Sequence, residues 1–214
     1  MNSVETIIED IKKLSGKYNP HIIFSDWVRM YAISIQNSCT LNNKLWEKRE
    51  EEYINTMKRY TTEEMKIMVE MNGLLVIAFE EKISDYLGEI YMKSGAGSKE
   101  TGQFFTPFHI SELVAKMNLK DIKDGEPILI NEPSSGGGGM ILAAAKILIE
   151  KGINYQKYME VVAQDLDWLG VYMTYVQLSL LGISATVIQG DTLGRDKKES
   201  ERILYTPAKM GALV

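Results

Sequence analysis

Cysteine, histidine and long apolar runs are scarce in this 214-residue chain, and each scarcity excludes a class of protein. The single cysteine, Cys39, excludes an internal disulfide framework and fits a reducing, cytoplasmic environment. Because only His21 and His109 accompany it, a structural zinc site is not expected. No apolar run approaches the roughly 18 residues that a membrane span needs, and the acidic N-terminus lacks a signal-peptide core.

Basic residues are fewer than acidic ones, 24 against 29. The formal net charge is −5, and no block rich in lysine and arginine interrupts the sequence. A protein that grips DNA alone usually has a basic surface, because neutralising phosphates supplies most of the non-specific affinity. If nucleic acid is the substrate, we therefore expect a partner chain to contribute most of the affinity for it.

The first 93 residues carry the apolar spacing of α-helices. Ser25 or Asp26 is the predicted N-cap of the second helix, and Thr61 to Glu64 reads as a capping box that opens the fourth. The charged third segment is typical of a solvated helix face. The predicted helices cover about 1–15, 24–37, 42–60, 61–78 and 85–91.

A polar, glycine-containing stretch at 94–101 predicts a linker between this helical region and a second domain at 102–214. Thr106 as N-cap and Pro107 at the first helical position predict a helix there. Strands and helices then alternate, which favours α/β architecture with a parallel, doubly wound sheet. The predicted elements are strands at about 128–130, 159–163 and 185–189 and helices at about 139–150 and 168–180.

Four consecutive glycines, Gly136 to Gly139, separate the first of these strands from its helix. Glycines allow close backbone approach to a ligand, and a helix N-terminus offers free N–H groups with partial positive charge. The turn is therefore a candidate pocket for a nucleotide-like cofactor.

The identity of that cofactor depends on the neighbouring residues. A phosphate-binding P-loop needs Gly-Lys-Ser/Thr, which is absent, and the dinucleotide fingerprint needs glycine where Ile141 stands, so a nicotinamide enzyme is disfavoured. Asp165 and Asp191 follow the next two strands and would lie at the same rim of the sheet, where an acid can bind ribose hydroxyls. A glycine turn with two acids and no phosphate-binding lysine suits S-adenosylmethionine.

These ordered segments resemble the N6-adenine DNA methyltransferases that serve as modification subunits of type I restriction–modification systems. The similarity runs from about residue 20 onward and is most specific in the first of its motifs. The segments concerned are Asp85 to Gly88, Gly102-Gln103-Phe104-Phe105-Thr106-Pro107, Glu132 to Gly139, Ala163-Gln164-Asp165 and Gly190-Asp191-Thr192-Leu193.

The resemblance implies an S-adenosylmethionine-dependent methyltransferase sheet behind a helical N-terminal region, and it assigns roles to residues. Gly136, Gly137 and Gly138 would back the cofactor, Asp165 would hold its ribose, and Asp191 would approach its adenine amino group. The residues expected at the methionine end are Gln103, Phe104, Phe105, Thr106 and Pro107, and the cofactor-binding set is completed by Glu132, Ser134, Leu166 and Thr192.

The sequence also departs from the family pattern. Family members place Asn-Pro-Pro-Phe/Tyr after the fourth strand, where it holds a flipped-out adenine, whereas the nearest segment here is Tyr205-Thr206-Pro207-Ala208. Two functions stay open: an adenine-N6 DNA methyltransferase that acts with a partner specificity or DNA-binding subunit, and a catalytically inactive cofactor-binding or assembly module. No membrane association is expected, and a homo-oligomer is an option.

Overall fold

The computed structural model describes residues 2–40, 44–97, 105–194 and 202–211. By internal contacts the chain divides into a helical unit, Met1–Lys82 with Tyr86–Phe104, and an α/β unit, Ile83–Asp85 with Phe105–Val214. Ser94 and Ala96, in the first half of the predicted linker, are buried. Residues 98–101 lie outside the described residues, so a linker at 94–101 stays a prediction.

Five helices form the described part of the helical unit, and α1 packs on α4 while α2 packs on α3. The largest buried side chains, Phe24, Trp27 and Tyr91, meet edge to face around Phe24, so α2 supplies the centre of this core. The helices are α1 (Ser3–Leu14), α2 (Pro20–Cys39), α3 (Lys44–Met57), α4 (Thr62–Glu81) and α5 (Tyr86–Lys93).

The helix starts obey simple capping chemistry. Thr61 and Glu64 form the predicted capping box at α4, each side chain accepting from the backbone N–H of the other residue. The predicted start of α2 is wrong: Asn19 is its N-cap, accepting from Ile22 N at 2.9 Å. Pro20 supplies the first helical residue, and its fixed φ suits that position.

Asp26 is buried inside α2 and does not cap it. Its carboxylate forms an ion pair with Arg29 one turn on, a second with Arg59 Nη1 at 2.6 Å, and accepts from Tyr60 Oη at 2.6 Å. Burial, with help from this carboxylate, raises the pKa of Tyr60, so the phenol stays a proton donor. These contacts tie the segment after α3 to α2.

The α/β unit contains a four-stranded sheet in the order β1-β2-β3-β4. The first three strands are parallel, and β4 is antiparallel to β3. The predicted class, an α/β fold with a partial, mostly parallel sheet behind helices, is confirmed. The elements are α6 (Phe108–Asn118), β1 (Ile128–Glu132), α7 (Gly139–Glu150), α8 (Tyr155–Tyr158), β2 (Met159–Asp165), α9 (Trp168–Leu180), β3 (Ser184–Gln189) and β4 (Ile203–Tyr205).

Both crossover helices, α7 and α9, lie on one face of the sheet, because parallel crossovers are right-handed and the strands advance in one direction. Val161 and Ala163, which point to that face, are fully buried. On the opposite face Leu129 is 79% exposed and Val162 39% exposed. Parallel sheets are usually covered on both faces, whereas the crossover helices of the described residues cover one face of this sheet.

The outer edge of β3 is closed by β4 and the residue after it. Thr206 is fully buried, donates from Oγ1 to Ile183 O at 2.7 Å and accepts from Ala185 N at 2.9 Å. The Thr-Pro segment therefore binds the sheet through its own hydroxyl, on the side away from β1.

In the described part of the chain, no helix combines the length and apolar character required to cross a membrane.

Candidate functional site

The glycine turn leaves β1 at Glu132 and enters α7 at Gly139. Gly136 and Gly138 have φ of 52° and 90°, the left-handed region that glycine tolerates best. Ser135 N donates to Gln164 O at 2.9 Å, and Gly138 N donates to Ser135 O at 2.7 Å. The turn is thus tight and anchored to β2.

Asp165, at the end of β2, binds this turn with one carboxylate oxygen and the start of the next loop with the other. Its Oδ2 accepts from Gly136 N at 2.7 Å, and its Oδ1 accepts from Asp167 N at 3.0 Å. Each carboxylate oxygen can accept two hydrogen bonds, so both retain capacity for a ligand hydroxyl. The residue that was predicted to hold ribose therefore also holds the turn.

One face of α9 completes the support, through Gly170, Thr174 and Gln177. A β-carbon on Gly170 would lie 3.0 Å from Gly136 O, so only glycine lets the helix approach this closely. Thr174 Oγ1 donates to Gly136 O at 2.9 Å, and Gln177 Nε2 donates to Gly137 O at 2.6 Å. The carbonyl groups of the turn thus point into α9, and the turn is preorganised.

The first predicted motif is only partly described. Gln103 and Phe104 lie outside the described residues. Phe105 places its ring against the turn, since a β-carbon on Gly136 would meet its Cδ1 at 3.0 Å. Thr106 and Pro107 are exposed; Pro107 is the N-cap and α6 begins at Phe108, so the predicted cap at Thr106 is wrong.

The other predicted residues frame the same rim of the sheet. Thr192 Oγ1 donates to Pro133 O at 2.5 Å, which links the segment after β3 to the turn. Asp191 is exposed, and its Oδ1 accepts from Leu193 N at 2.9 Å. Ser134 is exposed, and Leu166 is 68% exposed. Their predicted roles in cofactor binding stay predictions.

A groove runs along the side of β1 that faces away from β2. It encloses about 530 Å³ between α6, β1 and the start of α7, with Val114, Ile130 and Met140 among its lining residues. Among the described residues no strand pairs with β1 on this side. The groove ends at Glu132, next to the glycine turn.

Comparison with known proteins assigns the chain to a family. Residues 82–210 match the model of the N-6 DNA methylase family. The chain belongs to this family. None of the curated proteins matches the sequence significantly.

Among solved structures, a similar fold occurs in a Listeria monocytogenes protein described as a candidate class I S-adenosylmethionine-dependent methyltransferase. The TM-score is 0.52 at 12% identity, with 91% of this chain and 55% of that chain covered. This N-6 DNA methylase family member thus has a class I methyltransferase fold and spans about half the length of its structural neighbour.

Sequence reasoning missed the α9 contribution, although the family match includes it. Gly170, Thr174 and Gln177 follow each other at helical spacing within a mostly apolar helix. That spacing places the three small or polar residues on one face. Polar side chains on a buried helix need hydrogen-bond partners. The polar face of α9 could therefore have predicted its contact with the glycine turn.

Replacing Gly138 by alanine should lower the free energy of unfolding by about 1–3 kcal/mol, because alanine is strained in the left-handed region. The new β-carbon would also lie 3.2 Å from Thr174 Oγ1. Chemical denaturation measures the change. Gly152→Ala is the matched control, since φ is 75° there and no atom lies within 4 Å; equal losses would contradict a contact with Thr174.

Replacing Glu132 by glutamine should stabilise the protein near neutral pH. Burial raises the pKa of Glu132 above its ordinary value, although the Ser134 N–H opposes the shift. The folded state therefore holds this proton more tightly, and stability falls as pH rises from the ordinary to the raised pKa. We expect a gain at pH 7, read from urea denaturation, and no gain near pH 4. A gain of equal size at both pH values would contradict the titration of Glu132.

Proposed function

We propose that this chain is an S-adenosylmethionine-dependent methyltransferase that acts on the N6 amino group of adenine in DNA, together with a partner subunit. The observation that carries the proposal is the glycine turn closed by the Asp165 carboxylate, inside the segment that matches the N-6 DNA methylase family. The class I methyltransferase fold supports the same conclusion.

The residues of the turn fit the proposed cofactor. Because Gly136 to Gly138 have no β-carbons, the side chains of Phe105 and Thr174 pack directly against the turn and hold it in place for a ligand. Asp165 would accept hydrogen bonds from the ribose hydroxyls, and the Phe105 ring beside Gly136 would cover an apolar part of the ligand. When bound, S-adenosylmethionine supplies an electrophilic methyl group on a sulfonium.

A second candidate function is a catalytically inactive module that binds the cofactor and assembles with an active subunit. The position of Thr206 favours it, because the segment that stands nearest to the family's Asn-Pro-Pro-aromatic motif is buried and bonded to β3. Neither Ala208 nor Lys209 offers an aromatic ring for stacking a flipped base.

Both candidates need a partner. A net charge of −5 is unfavourable for gripping DNA alone. An extended segment of a partner could add to β1 as a further strand, since that edge is unpaired among the described residues. We propose that this partner is the specificity or DNA-binding subunit of a cytoplasmic restriction–modification complex.

Two measurements test the function. Calorimetry should detect S-adenosylmethionine binding to the isolated chain, and labelled-methyl transfer to DNA of mixed sequence should appear when a DNA-specificity subunit is added. Binding without transfer in that mixture would support the inactive module and exclude the enzyme. Absence of binding, with Asp165→Ala indistinguishable from the unchanged chain, would exclude both.

A further inference from the structure

Helix α4 is apolar on two opposite faces. Its outward face, formed by Val69, Gly73, Val76 and Ile77, is exposed, and the three apolar side chains keep 60%, 37% and 47% of their accessible surface. A helix that is apolar all round is normally buried all round, so the outward face is a surface that awaits a partner. The inward face, which packs inside the helical unit, consists of Met68, Met71, Leu75, Ala78 and Phe79.

Gly73 lies in the middle of the outward face. Glycine inside a helix lowers its stability relative to alanine, and a β-carbon added to Gly73 would meet no atom within 4 Å. Packing among the described residues therefore gives no reason for glycine at this position. A second helix that crossed α4 at Gly73 could approach the backbone closely, because no side chain stands between them.

A cavity of about 180 Å³ opens beside this face, between α2, α3 and α4. Trp27, Tyr31 and Tyr53 line it together with Val69, which also belongs to the outward face. Asn72 Oδ1 accepts from Trp27 Nε1 at 2.8 Å, which holds the cavity wall in place. Burial raises the pKa of Tyr31 to about 12, so its phenol is uncharged. The cavity therefore suits an apolar side chain, the kind of anchor that dominates the energy of many interfaces.

The rim of the outward face is acidic. Glu63, Glu70 and Glu81 follow one flank of it at helical spacing, and all three are exposed. In the described part of the chain no lysine or arginine forms an ion pair with any of them. Lys66 is the single basic residue of α4, so the helix is acidic overall. A second copy of this face would be repelled, whereas a partner with basic residues along its edge would be attracted.

We propose that the outward face of α4 and the cavity beside it form the docking site for an amphipathic helix with a basic flank, carried by a partner protein. The apolar side of that helix would cross α4 at Gly73 and place one large side chain in the cavity. Its lysines or arginines would face the row of glutamates. The inference goes beyond the proposed function and does not depend on the cofactor site.

The probe is a synthetic helical peptide of about 20 residues, long enough to hold several helical turns. It carries leucine and alanine on one face and lysines along one flank, and a second peptide has glutamate in place of each lysine. Fluorescence anisotropy of the labelled peptides measures their binding to the full chain. We expect the basic peptide to bind at least about tenfold more tightly than the acidic one.

Gly73→Leu tests the close approach. Leucine should weaken binding of the basic peptide about tenfold or more, because its side chain would stand where the two helices cross. Gly16→Leu is the matched control and should bind normally, since a β-carbon at Gly16 also meets no atom within 4 Å. Circular dichroism should show both variants folded, because neither position has a positive φ.

Glu70→Lys tests the charge and leaves the apolar contacts unchanged. It should weaken binding of the basic peptide about threefold or more, the size expected for exposed ion pairs. Glu9→Lys on α1 is the control, because Glu9 is also exposed and also has a lysine, Lys13, one helical turn away. This variant changes net charge equally and should bind normally.

Several results would overturn the proposal. They are equal binding of the two peptides, binding of neither, an affinity that Gly73→Leu and Glu70→Lys leave unchanged, and losses of the same size in the control variants. Sedimentation tests a different occupant: a dimer of the unchanged chain that Gly73→Leu dissociates would assign the face to a second copy. A failure to bind S-adenosylmethionine would exclude the proposed function and leave these measurements unaffected.

Discussion

Asp165→Ala is expected to weaken S-adenosylmethionine binding roughly 10- to 150-fold, because a hydrogen bond to a charged group is worth about 1.5–3 kcal/mol. The substitution removes the acceptor proposed for the ribose. It also releases the Gly136 and Asp167 N–H groups that the carboxylate now binds. Titration calorimetry measures the loss directly.

Two further variants test whether the loss is specific to the Asp165 carboxylate. Asp165→Asn keeps the size of the side chain but offers one acceptor oxygen for two N–H groups, so we expect it to bind poorly as well. Glu160→Ala lies on the same strand at the opposite end, half exposed and paired with Lys209, and should bind normally. A normal affinity in Asp165→Ala, or a loss in Glu160→Ala, would contradict a cofactor site at the end of β2.

Asp26→Ala is expected to lower the free energy of unfolding by about 3 kcal/mol, the lower end of the cost of breaking a buried charge pair. The side chain of Asp26 is 3% exposed, whereas those of Arg29 and Arg59 are 30% and 34% exposed and can regain some hydration. Tyr60 loses its acceptor at the same time. Urea denaturation followed by tryptophan fluorescence would report the change, since Trp27 lies in the same core.

Asp10→Ala provides the matched comparison for Asp26. Asp10 also pairs with a cation three residues on, but Lys13 is 64% exposed. Although the side chain of Asp10 is only 11% exposed, its partner stays in water and gains little from the pair, so we expect a loss of about 1 kcal/mol or less. Similar losses in the two variants would mean that the Arg29–Asp26–Arg59 cluster adds nothing beyond an ordinary surface pair.

The elements themselves followed well from local sequence. Apolar periodicity and glycine punctuation placed β1, α7, β2, α9 and β3 within a few residues of their true ends, because each repeats a local pattern. Helix starts were less secure. The start of α2 was predicted near Phe24 because its apolar residues are most prominent from there. The helix begins earlier, at Pro20, and the signal for this start is Asn19 as N-cap followed by the proline.

The site shows where local reasoning ends. The glycine turn was visible because glycine has a conformational reason to recur there. The side chains that hydrogen-bond to the turn were not, because Asp165, Thr174 and Gln177 reach Gly136 and Gly137 from segments 29 to 40 residues away. Similarly, no local pattern indicated that β4 would run antiparallel beside β3.

The order of the strands has a consequence for how the α/β unit assembles. Strands β1 to β4 stand in the sheet in the same order as in the chain. Each new strand therefore pairs with the one made just before it, and no strand has to await a distant segment. Folding rates fall as the sequence separation of contacts grows, because closing long loops costs entropy before contacts repay it. We expect this unit to form progressively from β1 during synthesis, at a rate that is high for a parallel sheet.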